Sequence, residues 1–388
     1  MSFVTGLTCS RCGEAHDHRG HAHVCGCGGP LLVEYDLEAL RVRADRDALR
    51  GATMWRYADL LPADEPERAV TLGEGGTPLR PVPALGAAIG VADLWLMDEG
   101  VNPTGTFKAR GASSGLTRAR ELGVADVSLP TAGNAGGAWA AYGAAAGIAV
   151  HVAMPRDAPE PNRVEVLAHG AELTLVDGTI ADAGRLVASW VRERGWYDAS
   201  TLREPYRIEG KKTLGLEIAE RLSWRPAGAI VYPAGGGVGL IGIWRAIEQL
   251  RAIGWVEGAM PRLIAAQAAG CAPIVRAFEE GSEEVEPWEG AATIASGLRV
   301  PSPLGGPLTL RAIRETGGTA IAVADAEILD AARTFARVAG VLAAPEGAAT
   351  LAGARRLRER GDLAPDERVV LINTGTGLKY PEVLALLG

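Results

Sequence analysis

Apolar residues along this chain come in short bursts. Runs at 127–129, 148–154, 173–176, 229–232, 263–266, 320–323 and 369–372 are rich in Val, Ile, Leu and Ala, and most are followed by glycine and then by a stretch with helical spacing. Continuous apolar runs bounded by glycine read as strands buried on both faces, and strands alternating with helices imply parallel sheets covered on both sides. The pattern predicts an α/β fold. The stretch 127–155 has no Asp, Glu, Lys or Arg, but Pro130 and Asn134 interrupt it. It reads as buried αβ structure, not as a membrane span.

The first thirty residues differ in kind. They hold four of the five cysteines and four of the six histidines with little periodicity, and so predict a separate small module. A breaker-rich stretch, Leu61-Pro-Ala-Asp-Glu-Pro66, precedes Leu72-Gly-Glu-Gly-Gly-Thr-Pro-Leu79, and the acidic segment 279–289 reads as a solvated excursion.

Composition narrows the class. With 388 residues, 47% apolar and 22% charged, the chain can bury a large core in roughly two domains, which excludes collagen-like, disordered and disulfide-scaffold proteins. A formal net charge of −8 argues against nucleic acid or an anionic membrane as main partner and favours a small polar substrate. No basic segment followed by an apolar run opens the sequence, so a cytoplasmic location is the expectation. Of the 39 basic residues only four are lysines, Lys108, Lys211, Lys212 and Lys379. Arginine cannot form an imine or release its proton near neutrality. The four lysines therefore mark positions where an amine can matter.

Three motifs carry chemistry. Cys9-x-x-Cys12 and Cys25-x-Cys27, twelve residues apart, let two knuckle turns present four thiolates tetrahedrally, a structural zinc site, with His16, His18, His21 and His23 as competing ligands. The run from Ala229 to Gly242 has the order strand, glycine loop, helix, and amides at such a helix start bind phosphate. Gly237-x-Gly239-x-x-Gly242 also satisfies a dinucleotide pattern, but the next strand ends in Gln267 and Ala268, with no acid to hold a ribose. Finally, Asn102-Pro-Thr-Gly-Thr-Phe-Lys108 places a lysine at a helix start, where the dipole disfavours an ammonium and favours a neutral amine or an imine. An amine nucleophile with a phosphate cradle is what pyridoxal 5′-phosphate requires.

These residues resemble the threonine synthase and serine/threonine dehydratase group of fold-type II pyridoxal-phosphate enzymes, over nearly the whole chain after residue 70. The resemblance implies a tryptophan synthase β-like fold, with a zinc-ribbon-like module at 1–33, a large cofactor domain at 34–112 and 205–388, and a small mobile domain at 113–204 that closes over the substrate. Lys108 would bind the cofactor covalently. Asn134, in Thr131-Ala-Gly-Asn134, would meet its 3′-oxygen, with Thr131 toward the substrate. Gly235, Gly236, Gly237, Val238 and Gly239 would hold its phosphate, and Thr374 would face its pyridine nitrogen.

The Cys-rich start, Glu74-Gly-Gly-Thr-Pro-Leu79, Tyr206-Arg-Ile-Glu-Gly-Lys-Lys-Thr213 and Gly-Leu-Lys379 lean toward threonine synthase. In that reading the substrate is O-phosphohomoserine, its phosphate meets Arg207 and Lys212, and the protein is a homodimer. Departures stand beside the likeness. Ala109 follows the lysine where the resembled enzymes usually carry Asp, and Thr201, Leu202 and Glu204 stand where Ser and Asn are usual. The glycine loop lacks asparagine, as in dehydratases. A hydroxy-amino-acid ammonia-lyase or a β-replacement enzyme thus remains an alternative. A nicotinamide oxidoreductase and a zinc-ribbon binding module with an inactive body are the readings from other classes.

Overall fold

The computed structural model describes residues 2–388. They form two compact units. One holds the residues up to Gly76, Lys108–Thr213 and Ala252–Trp255; the other holds Thr77–Phe107, Leu214–Arg251 and Val256–Gly388.

The second unit is built on a six-stranded sheet in the order Thr319–Val323, Arg262–Ala268, Ala229–Pro233, Arg368–Asn373, Asp93–Asp98, Leu79–Pro81. All neighbours are parallel except the last pair. Its core joins Leu94, Val231, Ile264 and Leu371 of the sheet to Phe335 and Leu351 of covering helices. The first unit has a four-stranded parallel sheet in the order Glu172–Val176, Ala149–Pro155, Asp126–Pro130, Tyr197–Asp198. Trp139, Tyr142 and Leu116 pack on it. The helix Ala135–Ala146 that carries the first two of these has no residue more polar than tyrosine, which matches its burial from Ala135 to Gly143.

Every apolar run read as a strand is one, because strands covered by helices on both faces need unbroken apolar sequence. Asp93–Asp98 escaped that reading. Its apolar centre is flanked by acids, and Asp98 is occupied structurally, accepting hydrogen bonds from Gly100 N–H at 3.0 Å and Asn373 Nδ2 at 2.8 Å. The N-terminal module is an antiparallel sheet in the order Ala15–His16, Val4–Cys9, Leu31–Tyr35 and belongs to the first unit. No helix among the described residues is long and apolar enough to cross a membrane.

Within the first unit, two helices meet almost backbone to backbone. Lys108–Glu121 is buried continuously from Ala109 to Ala119, and its small residues admit the start of Arg207–Arg221. A Cβ on Gly111 would lie 2.9 Å from both Arg207 Cγ and Lys211 Cε, and one on Gly210 would lie 2.0 Å from the Arg110 carbonyl oxygen. The fully buried Arg110 then donates from its guanidinium to Thr213 Oγ1 at 2.9 Å. Overpacking a rigid backbone contact costs about 1–3 kcal/mol. Gly210→Ala should lower the unfolding free energy by about that amount in urea titrations, whereas Gly184→Ala, on an open helix face, should not.

Candidate active site

The loop that leads into Lys108 is shaped in the second unit. Asn102-Pro-Thr-Gly-Thr-Phe107 turns through left-handed backbone at Thr104 (φ 62°) and Gly105 (φ 65°). Left-handed backbone at a threonine is strained, and several contacts impose it. Glu99, fully buried, accepts from Thr77 Oγ1 at 2.5 Å and from Asn102 Nδ2 at 2.7 Å. Lys379 Nζ donates to the Thr104 carbonyl at 3.1 Å. Phe107 N–H donates to the Thr374 carbonyl at 3.0 Å, and Thr376 N–H to that of Gly105 at 2.9 Å. The Asn102 motif and the Thr374 motif, distant in sequence, thus form one backbone ladder. Thr374 is 6% exposed.

The glycine loop follows Ala229–Pro233 in the same unit and opens the helix Val238–Ala252. Side chains are excluded at three of its positions. A Cβ on Gly235 would lie 2.3 Å from the Gly297 carbonyl oxygen, one on Gly237 1.9 Å from Thr309 Oγ1, and one on Gly239 2.1 Å from the Tyr232 hydroxyl. Gly237 also has φ 74°. At Gly236, however, nothing stands within 4 Å of a built Cβ. A tight turn open at one point, at the positive end of a helix, fits a phosphate group.

The first unit supplies Lys108, Thr131, Asn134, Arg207 and Lys212. Lys108 is the first residue of its helix and is half-buried. Asn134 stands at the N-cap of Ala135–Ala146, in a turn closed by Thr131, whose Oγ1 accepts from Gly133 N–H at 3.1 Å. The helix that follows is tied to the Lys108 helix through Glu74 and Trp55; Glu74 was quoted in a sequence motif but given no role. Fully buried, Glu74 accepts from Tyr142 OH at 2.5 Å, Trp55 Nε1 at 3.1 Å and Leu72 N–H at 3.0 Å, and Trp55 Nε1 reaches Ser113 Oγ at 2.9 Å. Burial and the Glu74 carboxylate drive the Tyr142 phenol up, so it stays a donor.

Arg207 and Lys212 lie on one helix but in different surroundings. Lys212 is wholly buried, with Nζ on the Glu209 carboxylate and 4.0 Å from the centre of the Tyr35 ring, while Tyr35 OH donates to the same carboxylate at 2.8 Å. Its charge is matched within the fold, a placement different from the substrate contact expected of it. Glu209, three residues earlier, was the sequence signal for this pairing. Arg207 lies 4.8 Å above the Trp139 ring and donates to Thr201 Oγ1 at 2.7 Å and to the Ala199 carbonyl. Its Nε is 3.6 Å from Glu204 Oε1. Glu204, a residue singled out in the sequence only as a departure, accepts from Tyr206 N–H and Arg207 N–H at 2.8 Å each.

In the N-terminal sheet the four cysteine sulfurs converge within 4.8 Å of one another. Cys9 and Cys27 are 3.4 Å apart, Cys12 and Cys27 3.5 Å, and Cys12 and Cys25 3.6 Å. Four thiolates around a zinc at about 2.3 Å would stand about 3.8 Å apart. The histidines are not part of this four-sulfur set, but Glu14, His16 and Cys25 form a second, overlapping one.

Comparison with known proteins places these features in a family. A model described as "Pyridoxal-phosphate dependent enzyme" matches residues 70–375. The chain is 37% identical to a threonine synthase of Methanosarcina acetivorans, over 97% of this chain and 93% of that protein. It is 35% identical to one of Methanocaldococcus jannaschii, over 96% and 93%. Among solved structures, the processed threonine deaminase isoform 2 of Solanum lycopersicum aligns with a TM-score of 0.70, at 23% identity, over 89% of this chain and 95% of that one.

One titration follows from the site geometry. Burial pushes the Glu204 carboxyl up to about 7, against the opposing pull of Arg207 and of the Tyr206 and Arg207 amides. The folded state therefore holds a proton that the unfolded state, near the usual 4.5, releases first. Glu204 adds stability below about pH 4.5 and loses that contribution as pH rises to about 7. The unfolding free-energy difference between wild type and Glu204→Gln should change by on the order of 3 kcal/mol across this window, read by urea titration. A constant difference would refute the burial account.

Proposed function

The chain belongs to the fold-type II pyridoxal-phosphate-dependent enzymes, and we propose that it is a threonine synthase-like lyase that converts O-phosphohomoserine and water to L-threonine and phosphate. It is a lyase of the threonine synthase and serine dehydratase superfamily acting on a small amino acid. The finer reading rests on one observation in the first unit. Lys108, Gly111 and Gly115 fall on one stripe of their helix, and the Arg207 side chain packs on Gly111. Three residues of rise put Gly111 about 4.5 Å along the axis from Lys108. The stem of Arg207 thus packs one turn along the helix from Lys108, with its guanidinium over the Trp139 ring.

Bound at these residues, pyridoxal 5′-phosphate supplies an electron sink that acidifies the substrate Cα–H and activates the neighbouring carbons. The residues divide the remaining work. Lys108 Nζ holds the cofactor and, once released, takes and returns protons at Cα and Cβ. The amides of the Gly235 to Gly239 loop would hold the cofactor phosphate at the helix start, Asn134 would hydrogen-bond the cofactor's oxygen substituent, and Thr374 would offer its ring nitrogen a neutral hydroxyl. Such a partner does not hold the nitrogen protonated as an aspartate would, which suits elimination and addition at Cβ better than transamination. Arg207 steadies the departing phosphate by charge-assisted hydrogen bonds. Lys212 in this scheme is a packing residue that neutralises Glu209.

A second reading draws on Glu204. With that carboxylate beside Arg207 and no asparagine in the glycine loop, a hydroxy amino acid eliminated as by an ammonia-lyase is the competing reaction. We also propose that Cys9, Cys12, Cys25 and Cys27 bind one structural zinc, since four closed thiolate positions leave none open for catalysis.

Purified protein given pyridoxal phosphate should absorb visible light and bleach with borohydride, and Lys108→Ala should do neither. Offered separately, O-phosphohomoserine should yield threonine and phosphate, and L-threonine should yield no 2-oxobutyrate. Threonine breakdown without phosphohomoserine turnover would replace the synthase by the ammonia-lyase. Elemental analysis should find one zinc per chain, lost in Cys12→Ser; a metal-free wild type purified without chelator would remove the zinc proposal.

A further inference from the structure

The start of the Arg207–Arg221 helix has the makings of an anion site, and a protein carboxylate fills it. Glu204 is 1% exposed, yet it is not paired with a single neighbour. Its two oxygens accept the Tyr206 and Arg207 amides at 2.8 Å each, so it sits at the positive end of a fifteen-residue helix. Oε1 also stands 3.6 Å from Arg207 Nε. Two amides and a guanidinium are the donors that a tetrahedral dianion would seek here. The backbone beside it is held in an unusual form, with buried Leu202 at φ 60°. On the stripe of the Lys108 helix, a Cβ at Gly115 would meet Glu204 Oε1 at 3.7 Å, next to the Arg207 contact at Gly111.

We propose that Glu204 is the specificity-determining residue of the leaving-group pocket: its carboxylate is a built-in competitor for the Arg207 donors, and a dianionic group engages Arg207 only when that carboxylate carries a proton. The proposal rests on the reading of Arg207 as the leaving-group cation. Ionised, Glu204 offsets the guanidinium charge from 3.6 Å and repels phosphate at close range, so the site favours an uncharged leaving group. Protonated, it still accepts from the amides through one oxygen while the positive charge of Arg207 is no longer offset by a carboxylate. The charged and titratable groups facing it are Arg207, Asp198, Tyr197 and Tyr206. Burial drives both tyrosines up, Tyr206 to about 12, whereas it brings the Glu204 carboxyl near neutrality. Anion binding and proton uptake are therefore linked near neutral pH.

Sulfate is the probe, because it keeps two negative charges throughout. Protein loaded with pyridoxal phosphate, so that the glycine loop is already filled, is titrated with sulfate in a calorimeter between pH 5.5 and 8.5 in buffers of different ionisation enthalpy. Wild type should take up close to one proton per sulfate above pH 7, with affinity falling up to tenfold per pH unit there. Glu204→Gln should bind at least tenfold more tightly at pH 8.5 without that slope, and Arg207→Gln should lose the binding in both backgrounds. Equal slopes in wild type and Glu204→Gln, binding indifferent to Arg207, or no sulfate binding at any pH would each overturn the proposal. Should Glu204→Gln fail to fold, proton uptake by the wild type decides alone. Turnover separates the two readings. Phosphohomoserine conversion with pH-independent sulfate binding defeats the competitor role and keeps the reaction, whereas linked sulfate binding without conversion does the reverse.

Discussion

Burial of the Lys108 helix is the constraint on which the first unit depends. A helix enclosed from Ala109 to Ala119 must be lined with small residues, and whatever approaches it must bring its own hydrogen-bond partners. Gly111 and Gly115 admit Arg207 and Trp139, and Gly210 admits the carbonyl of Arg110. Ser113 and Ser114 turn the helix's hydroxyls to the Val70 and Tyr206 carbonyls. Lys108 is thus placed at the start of a rigid rod, and the packing behind it fixes where its side chain begins.

The same burial governs the charges. Arg110, Arg207, Lys211 and Lys212 are all nearly or fully enclosed, and carboxylates are enclosed with them. An unmatched ion there is costly, so each cation whose surroundings are resolved has an acceptor at hand: Thr213 for Arg110, Glu209 for Lys212, Glu204 with Thr201 and Ala199 for Arg207. These pairings are not equivalent. Glu209 is held by Lys212 and Tyr35 together, whereas Glu204 is held by backbone amides and only loosely by Arg207. The second arrangement leaves the guanidinium able to take a different partner. A site that must bind and release an anion needs that looseness; a packing ion pair does not.

How much of this was legible follows from what each element demands of its sequence. Strands covered on both faces demand unbroken apolar runs, and glycine loops demand glycine, so the parallel sheets and the Gly235 turn could be read directly. The Lys108 segment was legible because an amine at a helix start is electrostatically unusual. Glu74, Glu99 and Glu204 were not, because an acid in a sequence looks solvated until the hydroxyls, amides and guanidinium that bury it are brought together by the fold. Lys212 shows the converse. A Lys-Lys pair in a motif read as an anion contact, and the helical spacing to Glu209, which settles its partner, carried less weight than the motif did.

The scarcity of lysine gains a physical sense from Lys212 and Lys379, the two that are neither at the start of the Lys108 helix nor packed on it. Lys379 donates to the carbonyl of left-handed Thr104 and so props the strained turn before Lys108 from the second unit's C-terminal loop. A compact ammonium on a flexible stem can aim at a single carbonyl, whereas arginine's five donors are spread in a fixed plane. The wholly enclosed Lys212 faces one carboxylate and an aromatic ring, where a compact ammonium fits and a fork does not. Arg207, by contrast, has several acceptors within reach and lies flat on Trp139, the use to which a guanidinium is suited. Around this site, lysine and arginine are distributed by the geometry of the acceptors that meet them, and the proposed imine chemistry would account only for Lys108.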